Sequence, residues 1–215
     1  MKISELFAIS KPVVTMWVII ALLALFSILA TRRLKDVPGG LQNVAEMAVE
    51  KLQGFFAGIL GEENARRYFT VFGALFVFIV ICNYSGLLPT AGEAFPVLTA
   101  SLSVTAGLAI VSFFTTHSVG IRRQGLGGYL KSFLKPFAIM LPLTILDQFV
   151  RPFSLALRLY GNMYGEEMVT AQLRALFPIL LPLVMQCMSL IFCLIQAMVF
   201  TMLTAVYVHE ATGEE

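Results

Sequence analysis

Four stretches of this chain contain no Asp, Glu, Lys or Arg: residues 12–30, 68–92, 94–120 and 175–208, with lengths of 19, 25, 27 and 34 residues. No other property constrains the fold so tightly. A hydrocarbon layer about 30 Å thick takes about 20 helical residues to cross, and a backbone shielded from water must close its own hydrogen bonds. Each run is therefore a candidate membrane helix. A fifth stretch, residues 136–173, is also strongly apolar but carries Asp147, Arg151, Arg158, Glu166 and Glu167. Composition points the same way, with 58% hydrophobic and 13% charged residues against about 25% charged in soluble proteins. The net charge of +2 is too small to suggest a nucleic-acid partner.

The first run is long for a signal peptide, and the flank Thr31-Arg32-Arg33-Leu34-Lys35 has stop-transfer character, so it is read as a retained span. With that flank in the cytoplasm and each span crossing once, Arg32, Arg33, Lys35, Lys51, Arg66, Arg67, Arg122, Arg123, Lys131 and Lys135 lie inside. Lys2, Lys11 and Arg174 lie outside. The bias predicts five crossings, with the N-terminus outside and the C-terminus cytoplasmic. Between the first two spans Leu41, Val44, Ala48, Leu52, Phe55 and Ile59 recur at helical spacing while Gln42, Glu46, Glu50 and Gln53 take other faces. That pattern predicts an amphipathic helix on the cytoplasmic surface, with an unbound cytoplasmic helix as the alternative. Pro38-Gly39-Gly40 supplies the turn before it.

The last two apolar stretches are overlong. As single helices they would extend about 57 and 51 Å, so they must tilt, bend or project, with Pro142, Pro152, Pro178 and Pro182 as places to do so. Pro178 and Pro182 are expected to mark a hairpin between them. The fold expected is thus an all-α integral membrane protein forming one domain over residues 1–215. Five transmembrane helices span about 12–30, 68–90, 96–118, 137–174 and 179–208, an amphipathic interfacial helix covers about 41–60, and the last two spans are long, tilted and paired as a hairpin. No internal repeat is visible, which weighs against a transporter built from inverted halves.

An Arg at mid-bilayer costs about 2.5 to 3.5 kcal/mol on insertion scales, so such a residue faces a cavity or a partner. With Arg158 at 0°, Asp147 falls at about −20°, Arg151 at about 20°, Ser154 at about −40° and Asn162 at about 40°, five polar residues on one narrow arc. Gly161 and Gly165 lie along the same edge, so a further helix can approach there closely. The bland alternative is a simple salt bridge, to Asp147 or to another span. Glu166 is displaced by about 80° and Glu167 points nearly opposite, about 11 to 12 Å deeper than Arg174. That depth suits a water-filled inlet, with a solvated helix end as the alternative. On the last span Ser189 and Gln196 share a face that Tyr207 continues. Such residues either bridge helices or line a hydrophilic passage.

The segment Arg151-Pro152-Phe153-Ser154-Leu155-Ala156-Leu157-Arg158-Leu159-Tyr160-Gly161-Asn162-Met163-Tyr164-Gly165-Glu166-Glu167 resembles the signature of subunit a of the F-type ATP synthase. Gln196-Ala197-Met198-Val199-Phe200-Thr201-Met202-Leu203-Thr204-Ala205-Val206-Tyr207 is similar to that family's last helix. Val37-Pro38-Gly39-Gly40-Leu41-Gln42-Asn43 and Asn83-Tyr84-Ser85-Gly86-Leu87-Leu88-Pro89 resemble its amphipathic-helix start and second-span exit. The resemblance implies an ion-translocating stator subunit with two offset aqueous half-channels that couple H+ or Na+ flow to c-ring rotation and ATP synthesis. In it Arg158 matches the arginine that meets each ring carboxylate, and Gln196 matches the glutamine near that arginine. Glu167 matches an outer half-channel carboxylate, and Ser189 stands where some members carry histidine. The added carboxylate Glu166 partly replaces that histidine. Asn162, Ser154 and Arg151 match polar positions beside the arginine and toward the cytoplasmic half-channel. The implied partners are the c-ring, the peripheral-stalk b subunits, the soluble ATPase sector and lipid. No cofactor, metal or catalytic site of its own is implied. The absence of a transit peptide and the form of Leu157-Arg158-Leu159-Tyr160-Gly161-Asn162 point to a bacterial plasma membrane.

The rival reading is a single-chain secondary transporter in which Arg158 binds an anionic substrate; a weaker one is an intramembrane enzyme using Glu166 and Glu167. His117 and His209 are read as solvated end residues too distant to complete a metal site. Gly125-Leu126-Gly127-Gly128-Tyr129-Leu130-Lys131-Ser132 fails as a phosphate loop, because Leu130 stands where the motif needs Gly, and is read as a basic loop. Cys82, Cys187 and Cys193 have no CxxC spacing and are read as core hydrophobes, and the ten methionines as packing residues.

Overall fold

The computed structural model describes residues 11–31, 40–87, 97–133, 141–176 and 180–212. The flank Arg32 to Lys35, the turn residues Pro38 and Gly39, and Lys2, Leu88, Pro89, Lys135 and Pro178 lie outside them. Among the described residues there are six α-helices: α1 Lys11–Thr31, α2 Gly40–Leu60, α3 Glu62–Tyr84, α4 Leu102–Ser132, α5 Leu141–Leu176 and α6 Leu180–Thr212. Short 3-10 turns follow α3 at Ser85–Leu87 and precede α4 at Leu98–Ala100. By length and composition three helices can cross a membrane, Glu62–Tyr84, Leu102–Leu130 and Leu180–Thr212, beside the shorter apolar Val13–Leu29. The protein is therefore all-helical and membrane-type. It divides into two compact units, residues 1–98 and 99–215.

In the first unit α2 packs along α3, and α1 touches both. Phe56 and Phe72 are fully buried with ring centroids 5.5 Å apart, joined in the core by Leu60, Ala65 and Ile79. Gly61, at φ 76, separates α2 from α3, a backbone region that glycine enters without a Cβ penalty. Helix α3 begins six residues before the charge-free run, taking Glu62, Glu63, Arg66 and Arg67 into its first turns. Charged side chains stop a hydropathy window but do not stop a helix, and two acids in a first turn favour one. On α1, Thr15 and Ile19 turn inward while Trp17, Leu22 and Leu25 are exposed, as suits a helix facing lipid.

The second unit is a three-helix bundle that carries the polar stripe. Residue numbers rise on α5 as they fall on α6: Arg151 meets Glu210, Asn162 meets Gln196 and Met163 meets Cys193. The two helices are therefore an antiparallel pair. Helix α4 runs parallel to α6, with Ser112 hydrogen-bonded to Thr204 at 2.9 Å and the Gln124 amide donating to the Ala211 carbonyl at 2.9 Å. Pro142 and Pro182 occupy first helical turns, where no N–H is needed, and Pro152 lies inside α5.

The segment read as a basic loop after the third span is helical instead, up to Ser132, on both sides of a break at Gly125. Gly125, at φ 72 and ψ 160, turns the chain so that Tyr129 packs back onto Gly120. Two of the three cysteines are buried, but Cys187 is exposed. An apolar run alone does not distinguish a lipid-facing from a bundle-facing position. His117 is no free end residue either: its ring lies 3.9 Å from that of Phe113, and its Nδ1 is 2.9 Å from the Phe113 carbonyl. His209 is half-buried, with Nδ1 buried and without a hydrogen-bond partner among the described residues.

Candidate functional site

Helix α5 delivers the stripe as one surface, because residues seven apart return to nearly the same direction after about two turns. Its buried side is apolar, formed by Leu155, Ala156, Leu159 and Met163. Arg158, midway along α5, lies outside that side and is exposed. Among the described residues nothing pairs with it, by ion pair, hydrogen bond or ring contact. Asp147 is exposed and equally unpaired. The simple Arg158–Asp147 bridge is thus absent, since eleven helical residues separate the two by about 16 Å along the axis. Gly161 and Gly165 border the arginine on the same face, and a Cβ built on either would meet nothing within 4 Å. Among the described residues of this unit, no helix fills the close-approach surface they offer.

One turn beyond Arg158, the Asn162 amide donates to Gln196 Oε1 at 2.7 Å. Gln196 is buried and belongs to the inward face of α6 with Ser189, Cys193 and Phe200. The structure thus brings Asn162 and Gln196 together, one turn from the arginine rather than on it. Further along α5, Glu166 is half-buried and Glu167 exposed, as their angular separation requires. Ser189 is buried on α6, and no hydrogen bond joins it to either carboxylate. Ser154 is half-buried between Arg158 and Arg151.

At the other end of the stripe Arg151 is held on two sides. Its Nη1 makes an ion pair with Glu210, and its guanidinium lies 5.0 Å from the centre of the Tyr207 ring. Beside them is a cavity of about 180 Å³, lined by Thr116, Thr144, Gln148, Arg151, Tyr207 and Glu210 among others. Sequence reasoning missed Glu210, though the signal is present. The seven-residue step from Ser189 to Gln196, taken twice more, lands on it, about 40° from the Gln196 direction.

Comparison with known proteins fits this geometry. Residues 13–209 match the family described as ATP synthase A chain. The chain is 39% identical over 206 residues to ATP synthase subunit a 2 of Bradyrhizobium sp., covering 96% of this chain and 90% of the relative. It is 42% identical over 202 residues to ATP synthase subunit a 3 of Pelobacter propionicus, with coverages of 92% and 86%. It is 40% identical over 200 residues to ATP synthase subunit a of Moorella thermoacetica, with coverages of 93% and 89%. A match that runs unbroken from the first apolar helix to the last turns of α6 makes this chain a member of the ATP synthase A chain family.

Proposed function

We propose that this chain is the ion-translocating stator subunit of a bacterial F-type ATP synthase. It has no catalytic site of its own and works in the membrane sector beside a c-ring, peripheral-stalk b subunits and the soluble ATPase sector. Five crossings, formed by α1, α3, α4, α5 and α6, leave the N-terminus outside and the C-terminus in the cytoplasm of a bacterial plasma membrane, with α2 lying on the inner surface. The carboxylates of Glu166 and Glu167, together with Ser189, line an outer half-channel. Ser154 and Arg151 lie toward a second, laterally displaced half-channel that opens to the cytoplasm.

Arg158 stands between them. A guanidinium stays charged at any working pH, so it repels a cation that would pass straight from one half-channel to the other. It also favours the ionised form of an approaching ring carboxylate, so a loaded carboxylate gives up its ion on arrival. Ion flow must then pass through ring rotation. The Asn162–Gln196 bridge fixes α5 against α6 one turn from the arginine, so the guanidinium keeps its heading while successive ring carboxylates pass.

The observation that carries this reading is Arg158 itself, exposed, midway along a membrane helix, without a partner among the described residues and flanked by the open Gly161 and Gly165 positions. The test is Arg158→Ala in the complete complex reconstituted into vesicles. ATP synthesis and ATP-driven ion pumping are lost while the complex still assembles; normal pumping by the variant overturns the reading.

A further inference from the structure

Arg151 poses a problem for any route that carries a cation from Arg158 to the cytoplasm. It lies seven residues from Arg158, about 10 Å along the axis on the same face, and it too is permanently charged. A second uncompensated guanidinium there would repel the ion that the first has just released. The structure holds an answer to that charge. Glu210 reaches across from the last turns of α6 to pair with Arg151, Tyr207 covers the guanidinium, and both line the cavity at this end of the bundle.

We infer that Glu210 is a positioning and charge-compensating residue of the cytoplasmic half-channel: by neutralising Arg151 at the cavity, it keeps that outlet open to cations. The inference rests on the proposed role of Arg158. Structural bracing is a poor account of the pair, because its side chains are 33% and 50% exposed and such pairs add little to stability. Among the described residues, the other ionisable groups near the cavity are Tyr129, which lines it, and His117, against whose ring Tyr129 lies edge-on. Neither carries a negative charge at neutral pH that would replace Glu210. The polar lining from Thr116, Thr144 and Gln148 supplies oxygen atoms for a hydrated cation but no charge.

The test measures passive ion conduction through the membrane sector in vesicles stripped of the soluble ATPase. H+ is followed with a pH-sensitive dye and Na+ with radioactive sodium, under an imposed potential, with chain and ring quantified in the same vesicles. Glu210→Gln slows conduction about ten-fold, because an electrostatic barrier acts directly on rate. Glu210→Asp, which keeps the charge, conducts several-fold faster than Glu210→Gln. Arg151→Gln removes the barrier itself and also conducts several-fold faster than Glu210→Gln, and Arg151→Gln/Glu210→Gln recovers the rate of Arg151→Gln. A structural brace would instead be broken equally by either single change. Wild-type conduction by Glu210→Gln, or equal slowing in Arg151→Gln and Glu210→Gln, overturns the inference. If Glu210→Gln does not assemble, the double variant decides, and slow conduction by the assembled double variant overturns it. If Arg158→Ala pumps normally, the underlying functional reading falls; if Arg158→Ala is inactive while Glu210→Gln conducts normally, only this inference falls.

Discussion

Arg151 and Arg158 share a helix face, yet among the described residues one is answered and the other is not. Nothing in the local sequence separates them, because the difference lies in what α6 presents at each level. The same holds for Ser112 and Thr204, unremarkable in sequence, whose buried 2.9 Å hydrogen bond joins α4 to α6. A double-mutant cycle with Ser112→Ala and Thr204→Ala, followed by unfolding in denaturing detergent, yields a coupling of about 0.6 kcal/mol, the average for such bonds in membrane bundles. Glu167 is exposed while Glu166 is half-buried, so the two carboxylates are not interchangeable. Glu167→Gln lowers ATP-driven pumping about ten-fold without reducing the amount of assembled complex, as loss of one proton-exchanging group predicts; an unchanged pumping rate would remove Glu167 from the proposed outer half-channel.

At the scale of the element, the helices that charge-free runs and periodicity announce are present, including the amphipathic α2 and the overlong α5 and α6. One departure occurs where charge and helix formation part company, another where tertiary packing carries a helix onward. Helix α3 starts at Glu62 because Arg66 and Arg67 are compatible with a helix, although not with a hydropathy window. Helix α4 continues past Gly125 because Tyr129 has a seat on Gly120, and that seat belongs to tertiary structure. A Cβ at Gly120 would lie 2.5 Å from the Tyr129 ring and 3.1 Å from the Ala211 carbonyl oxygen. Gly120→Ala therefore destabilises the bundle by about 1 to 3 kcal/mol, read as a lower midpoint in the same detergent titration. Gly161→Leu has the opposite character. It meets nothing in its own chain, so insertion and proteolytic pattern are retained while the c-ring no longer copurifies. Retention of the ring would show that this face is not where the ring docks.

Over the whole molecule, topology follows from where the cations lie, and it is checked from each side of the membrane. With Cys82, Cys187 and Cys193 replaced by Ala, Leu126→Cys reacts with an impermeant maleimide from the cytoplasmic side and Arg174→Cys from the outside; the reverse pattern would invert the proposed orientation. The arginine motif and the spans were legible because each is written in consecutive residues. The Arg151–Glu210 pair was not, because its members are 59 positions apart and meet only once α5 and α6 pack antiparallel. The unpaired Arg158 also bears on how the machine is built. On the proposed topology, a newly made copy, alone in lipid, holds a bare guanidinium at mid-depth, at a cost of about 2.5 to 3.5 kcal/mol. Water and headgroups drawn inward to solvate it thin the surrounding bilayer. On the proposed reading, a waiting ring removes that exposure, so the charge proposed to keep two aqueous inlets apart also favours an order of biogenesis in which the rotor is complete before this subunit joins it.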